Sequence, residues 1–326
     1  MPDFDTPATL SRRNFLLFAA GSLTLACSGC GLPQRAPRIG LALGGGGAKG
    51  LAHIQVIEAL DELGIRPHRI AGTSIGAIIG SLYAAGLSGT QIRAQVEQFF
   101  VDEKEAEEKL WALPKSLRWL DFIDPAFAAG GLLSSNDFIE FLGETLPVRR
   151  FKDLEIPLKV VAADLLTGKA VVIKSGKLLP ALQASMAVPG VFPPVQLDGR
   201  DLVDGGVANP LPYDLLMSEC DIVIAVDVSG NRELEDGEEL SFIGVLLQSF
   251  HTMSNNLVAE KLRRLQPQIY VRPNISNVRV LEFYKARQVF EQSMPAKRQL
   301  LRDLKKALRR YNGRPGCTAA QQTNSY

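Results

Sequence analysis

The sequence predicts an α/β fold, a largely parallel central sheet flanked by helices, and three observations predict it. Short apolar runs alternate with helical spacings from Arg38 to Ala85, and strand–helix–strand–helix order argues a parallel core. Asp221 to Val228 (DIVIAVDV) is almost continuously apolar, as a strand covered on both faces should be. Asp198-Gly199 stands between the alternating runs 195–197 and 201–203, which is the signal of a tight hairpin.

Taken in order, Arg38 to Leu43 (RIGLAL) reads as the first strand, followed by the glycine run Gly44 to Gly47 and Ala48-Lys49-Gly50. Leu51, Ile54, Ile57, Leu60 and Leu63 recur at helical spacing, and Gly64 is read as the C-cap. Ile70-Ala71 is the next strand and Ile75 to Ala85 the next helix. Gln91 to Trp119 reads as helix, with Asp102 to Glu108 as a solvated acidic face. Trp111, Leu113, Leu117, Trp119 and Phe122 cluster in a span broken by Pro114 and Pro125. Two readings of the 101–131 segment stand, a lid and plain core packing under a long loop. Asp137 to Leu146 reads as helix, 157–163 and 170–174 as strands, and Leu179 to Met186 as a small-residue helix. A helix from Phe242 to Leu265, a strand from Gln268 to Val271 and a last helix from Val280 to Arg310 complete a single domain, 38–311. The polar tail, 312–326, is expected to be disordered.

The 326 residues are 22% charged and carry 36 Lys+Arg against 35 Asp+Glu, a net charge of +1. No general field draws nucleic acid or an anionic membrane, and no basic run with interleaved aromatics offers a nucleic-acid surface. Residues 1–30 read as a signal peptide with a lipobox. Ser11-Arg12-Arg13-Asn14-Phe15-Leu16 leads into an apolar run ending at Ala26, too short to span a bilayer as a mature helix. Arg12-Arg13 resembles a twin-arginine export signal; a general secretory leader that holds two arginines is the other reading. Leu25-Ala26-Cys27 resembles a bacterial lipobox, with Cys27 as the lipidated residue, Cys30 as the alternative, and a non-lipidated cut near Ala26 as a third reading. A diacylated cysteine gives stable attachment, so the expectation is an exported bacterial lipoprotein held at a membrane surface, facing the periplasm or the cell exterior. Cys220 opens an apolar strand and is expected to be buried and inert. A Cys30–Cys317 bridge is conceivable in an oxidising compartment, with nothing further to support it. No cysteine–histidine spacing suggests zinc.

Gly72-Thr73-Ser74-Ile75-Gly76 lies where a strand gives way to a helix. In G-x-S-x-G the serine sits on a strained elbow, and a Cβ at either flanking glycine would strike its neighbours. The helix beyond turns its positive end toward the serine. A plain serine N-cap is the competing reading. Acyl transfer also needs oxyanion donors and a base. The amides of Gly45, Gly46 and Gly47 supply the donors if the glycine run turns inward. Gly45, Gly47 and Gly50 also match G-x-G-x-x-G, but no carboxylate follows the next strand to hold a ribose. The P-loop pattern fails at Ala48 and Gly50. Among possible bases, His53, His68 and His251 carry no special spacing, and each reads as a packed or surface histidine. Asp204 leaves the hairpin directly and is followed by Gly205-Gly206, which lets backbone approach closely. A turn aspartate is its ordinary role.

The three motifs Gly45-Gly46-Gly47-Ala48-Lys49-Gly50, Gly72-Thr73-Ser74-Ile75-Gly76 and Asp204-Gly205-Gly206, in this order, resemble those of the patatin-like phospholipases. Val188-Pro189-Gly190-Val191-Phe192-Pro193-Pro194 is similar to the family's bacterial branch. The resemblance runs from about Arg38 to Arg310. It implies a three-layer fold and a serine–aspartate dyad of Ser74 and Asp204 that uses no histidine, metal or cofactor. It implies an acyl-enzyme mechanism, with the oxyanion held by Gly45 to Gly47 and a phospholipid or lysophospholipid as substrate. Lys49 is left between a headgroup contact and a structural role at the sheet end. A catalytically silent lipoprotein that binds lipid or a partner on the same fold is the alternative. Oligomeric state is not legible in the sequence.

Overall fold

The structure, a computed structural model, describes residues 35–99, 142–230 and 242–312. The leader with Arg12-Arg13, Cys27 and Cys30, the 101–131 segment and the tail after Asn312 lie outside the described residues. Pro37 to Tyr311 form one compact unit.

Among the described residues eight strands make one sheet: β1 (Ile39–Leu43), β2 (Arg69–Thr73), β3 (Leu158–Asp164), β4 (Ala170–Ile173), β5 (Val195–Leu197), β6 (Arg200–Asp204), β7 (Ile222–Val226) and β8 (Ile269–Val271). The order is β5-β6-β3-β2-β1-β7-β8, with β4 also on β3. The run from β3 to β8 is parallel, and β4, β5 and β6 pair antiparallel. Six helices accompany them among the described residues, α1 (His53–Glu62), α2 (Ile75–Ala84), α3 (Gly89–Phe99), α4 (Leu178–Ser185), α5 (Phe242–Arg264) and α6 (Ala286–Asn312), together with a helical turn at 142–145.

The strands β1 and β7 are entirely buried, which is why they read as unbroken apolar runs. The side-chain period of two then sorts them between layers. Ile39, Leu41 and Leu43 pack with Ile54, Ile57, Ile79, Val289 and Leu300 from α1, α2 and α6. Ala42, Ala71 and Ala225 face the other way, toward Tyr213, Leu216 and Val258 of α5. Small residues suit that second face because a 3-10 turn, Tyr213–Leu216, comes close. A Cβ on Gly40 would lie 2.9 Å from the Cys220 sulfur. Cys220 is buried, and burial pushes its thiol pKa up, so it has the inert surroundings expected of it.

Most expected elements lie within two residues of their observed limits. The expected long helix from Gln91 is described as far as Phe99, and the one ending near Leu146 only from Leu142. The last helix differs more. The sequence predicts a start at Val280, and α6 begins at Ala286. Residues 279–285 form instead a loop and a short 3-10 turn, Phe283–Lys285. A Glu282 carboxylate oxygen accepts from the Arg279 amide at 2.8 Å, and the Val280 carbonyl accepts from Ala48 at 2.8 Å. With that carbonyl claimed by the glycine run, the helix starts late.

After β1 the chain adds β2 and β3 on one side, while β7 and β8 return on the other. β1 therefore borders the reversal of strand order, and the crevice beyond its carboxyl end is where open α/β sheets place their sites.

Candidate active site

The chain leaves β2 at Thr73 and enters α2 at Ile75, turning on Ser74 alone, at φ 54° and ψ −127°. A positive φ at a residue with a Cβ costs about 1–3 kcal/mol and persists only where the surroundings enforce it. Here they do. A Cβ on Gly72 would lie 2.5 Å from the Ala77 Cα, and one on Gly76 would overlap the Leu43 carbonyl oxygen. Gly50 is held in the same way, since its Cβ would overlap the Ile75 side chain. The turned Ser74 amide can no longer join the sheet, and it donates to the Ser185 hydroxyl oxygen at 2.9 Å. Ser74 occupies the N-cap position of α2, but its side chain makes no capping bond, so the hydroxyl is left for other use.

Asp204 reaches Ser74 through β3. Ala162 pairs with both Val171 and Asp204, and Val161 with both Val172 and Thr73. β4 thus runs along one edge of β3, and the other edge is shared end to end by β2 and β6. Their carboxyl ends meet head-on: Thr73 opposite Val161, Asp204 opposite Ala162. Gly205 permits this, because a Cβ there would overlap the Val161 carbonyl oxygen. Asp204 is only 1% exposed. Its Oδ1 accepts from the Gly206 amide at 2.7 Å, and its own amide donates to the Ala187 carbonyl at 2.9 Å. Oδ2 is buried with no hydrogen-bond partner among the described residues. Burial pushes the carboxyl pKa up to about 6, against the opposing pull of the Ser74 hydroxyl and the Gly206 amide. The Ser74 hydroxyl thus favours the ionised carboxylate, and Oδ2 keeps its acceptor capacity.

The glycine run closes the third side, where a Cβ on Gly45 would touch the Ser74 Cβ at 3.4 Å. Its amides are unequal. Gly44 donates to Val226 at 3.0 Å, Gly45 to Pro210 at 3.0 Å and Ala48 to Val280 at 2.8 Å. The expected donor Gly45 is therefore already committed, whereas the amides of Gly46 and Gly47 have no hydrogen-bond partner among the described residues. Gly47 adopts φ +57°, and a Cβ on Gly46 would press the Val228 carbonyl oxygen at 2.7 Å. Of the two readings of Lys49, the surroundings of the side chain fit the structural one. The side chain is buried, and Nζ donates to the Ser229 carbonyl at 2.8 Å.

Of the three histidines, His53 is fully buried, and burial holds its pKa down at about 4. The neutral ring makes a 2.8 Å hydrogen bond through Nε2 to the Gly44 carbonyl, supporting the loop from below. His251 bonds Asn255 along α5, and the His68 amide joins Ile39 ahead of β2. Among the described residues, no hydrogen bond takes any of the three to Ser74 or Asp204. Among the described residues no group of three or more His, Cys, Asp or Glu side chains is placed to hold a metal ion.

A family model described as patatin-like phospholipase matches residues 41–217, more than half of the chain and all three motifs. The chain belongs to the patatin-like phospholipase family. An uncharacterized NTE family protein of Mycobacterium tuberculosis is 38% identical over 198 residues, covering 60% of this chain and 50% of the relative. Patatin-like phospholipase domain-containing protein 7 of Rattus norvegicus is 29% identical over 279 residues, covering 78% of this chain and 20% of the relative. The patatin-like chain thus spans about half the length of the first relative and a fifth of the second. The crystal structure of VipD from Legionella pneumophila aligns with a TM-score of 0.45 at 16% identity, over 82% of this chain and 67% of that one.

Three residues around this patatin-like site carry no signal in the sequence. Ser185 is an ordinary serine at a helix end, yet it bonds the Ser74 amide. His53 reads as a core residue, which it is, while bonding the glycine loop. Asp227, at the end of β7, accepts from the Ser229 amide at 3.0 Å and the Tyr270 hydroxyl at 2.6 Å. It shapes the turn that receives Lys49. Ser185 and Asp227 take partners far off in sequence, Ser74 and Tyr270, and His53 bonds a loop carbonyl that only the fold brings above its helix, so no local pattern could have singled them out.

Proposed function

We propose that this chain is a serine lipid acyl hydrolase, of phospholipase A or lysophospholipase type, with Ser74 as nucleophile and Asp204 as proton acceptor. The observation that carries the reading is the head-on meeting of β2 and β6 along one edge of β3, which brings a buried carboxyl to an elbow serine. Membership of the patatin-like family supports a lipid ester as substrate.

In the first half-reaction Asp204 accepts the Ser74 hydroxyl proton as the oxygen attacks the ester carbonyl. The oxyanion sits against the amides of Gly46 and Gly47, and loss of one such donor typically costs ~10²–10³ in rate. Asp204 returns the proton to the departing alkoxide, which leaves as an alcohol. Water, deprotonated in turn by Asp204, then attacks the acyl-enzyme; the Ser74 oxygen leaves, takes that proton back from Asp204, and the fatty acid is released. A carboxyl with a pKa near 6 is a better base than an ordinary aspartate, because the best catalytic pKa lies near working pH.

The test is hydrolysis of a p-nitrophenyl ester and of a lysophospholipid by wild type, Ser74→Ala and Asp204→Asn. Each substitution is expected to lower kcat/KM by about 10³-fold or more, and turnover that survives both would overturn the dyad. The exported-lipoprotein reading belongs to the same proposal. Cys27→Ser is expected to release the protein from membranes, and retention of that variant would count against an anchor at Cys27.

A further inference from the structure

The dyad residues are far apart in sequence, and one short segment holds the backbones of both. α4 ends at Ser185, and the chain turns through Met186 to Ala187. The Ser185 hydroxyl is completely buried, accepts from the Ser74 amide at 2.9 Å and donates to the Val161 carbonyl at 2.6 Å. Two residues later the Ala187 carbonyl accepts from the Asp204 amide at 2.9 Å. Val161 is itself the residue opposite Thr73 on β3. We propose that Ser185 is a positioning residue for hydrolysis, fixing the Ser74 elbow relative to β3 and to Asp204.

The hydrogen-bond inventory of a hydroxyl makes the role definite. Its one proton goes to Val161, so the oxygen faces the Ser74 amide as an acceptor. With its proton committed there, it has none to give to a substrate or to the Ser74 side chain. The Ser74 amide needs this partner because its backbone conformation takes it out of the β2 ladder. An unpaired buried amide would favour relaxation of the elbow toward an ordinary turn. Relaxation would swing the Ser74 hydroxyl away from the Asp204 carboxylate, and misplacement by about 1 Å can cost about 10²-fold in rate.

The inference rests on the hydrolase reading, and the experiment separates the two. Ser185→Ala removes the hydroxyl without adding volume, and Ser185→Thr keeps a hydroxyl. Both are compared with wild type, Ser74→Ala and Asp204→Asn for kcat, KM, the pH profile of p-nitrophenyl ester hydrolysis, the rate of fluorophosphonate labelling, and thermal midpoint. Ser185→Ala is expected to lower kcat by ~10–10²-fold with KM within about twofold, and to slow labelling in parallel. Its acid limb is expected to move to higher pH, because the Ser74 hydroxyl is one of the groups that hold the Asp204 pKa down. Ser185→Thr, if it folds, restores most of kcat. If activity requires Ser74 and Asp204 while Ser185→Ala keeps kcat within twofold and leaves the acid limb unmoved, the positioning role is wrong, whatever happens to the thermal midpoint. If the wild-type chain neither turns over esters nor labels, the hydrolase reading fails and this inference falls with it.

Discussion

At the scale of the residue, Asp204 holds opposed demands. Its carboxyl is buried and its pKa pushed up to about 6, so the ionised form of the proposed base is present above that pH and lost below it. The acid limb of kcat/KM is expected near pH 6 in a pH–rate profile; a limb near the ordinary aspartate value would disconnect Asp204 from the rate. The same shift has a consequence for stability, with a definite sign. The native state binds this proton more tightly than the unfolded state, so folding loses free energy as pH rises from about 4 through about 6. Asp204→Asn removes that loss. The variant is expected to be more stable than wild type at pH 8, by on the order of 2–3 kcal/mol, with the gap closing toward pH 4. Paired denaturant titrations across that range check it. Comparing the two proteins cancels His53, whose lowered pKa weakens the fold in the other direction, as pH falls from 6.5 toward about 4. Asp204 is legible in the sequence because two glycines follow it. Ser185 is not, because its importance lies in the Ser74 amide 111 residues away.

At the scale of the element, the glycine motifs are packing requirements as much as chemical ones. Gly76 stands in the first turn of α2 with the Leu43 carbonyl where a Cβ would go, and Gly64 ends α1 in open space at φ +63°. Gly76→Ala is therefore expected to displace α2 from β1, lowering stability by about 1–3 kcal/mol or more and abolishing fluorophosphonate labelling. Gly64→Ala is expected to cost about 1 kcal/mol from backbone strain alone and to label normally. Equal effects in thermal melts and labelling would show that close approach is not what Gly76 provides. Strands and helices from β1 to α2 were legible because apolar spacing is local. The start of α6 was not, because the Val280 carbonyl is claimed by Ala48, a contact that periodicity does not encode. For the same reason the equivalence of Gly45, Gly46 and Gly47 fails: Pro210 takes one amide of the three.

At the scale of the whole molecule, the reversal of strand order beside β1 locates the crevice, and β3 sets the spacing within it. The fold class was legible from the alternation of elements. That β2 and β6 share one edge was not, since pairing between distant strands leaves no trace in either. One residue inserted between Val161 and Ala162 is expected to move Asp204 from Ser74 by about 3.3 Å along β3 and to reverse the facing of the strand beyond the insertion. Esterase activity should vanish, whereas one residue added at Gly168, in the β3–β4 turn with nothing within 4 Å of a Cβ, should leave it within a few-fold. Activity retained by the first variant would mean that β3 does not set the distance. The segment just beyond Asp204 ties matters further: Asn209 accepts from the Thr73 hydroxyl at 2.8 Å and Pro210 from the Gly45 amide. The proposed nucleophile, base and cradle are in effect cast as a single piece. Under the proposed hydrolase reading, accommodating a bulkier acyl group by loosening any one of them would detune the other two, so new substrate preferences in this scaffold would arise by recutting the surrounding walls while the casting stays whole.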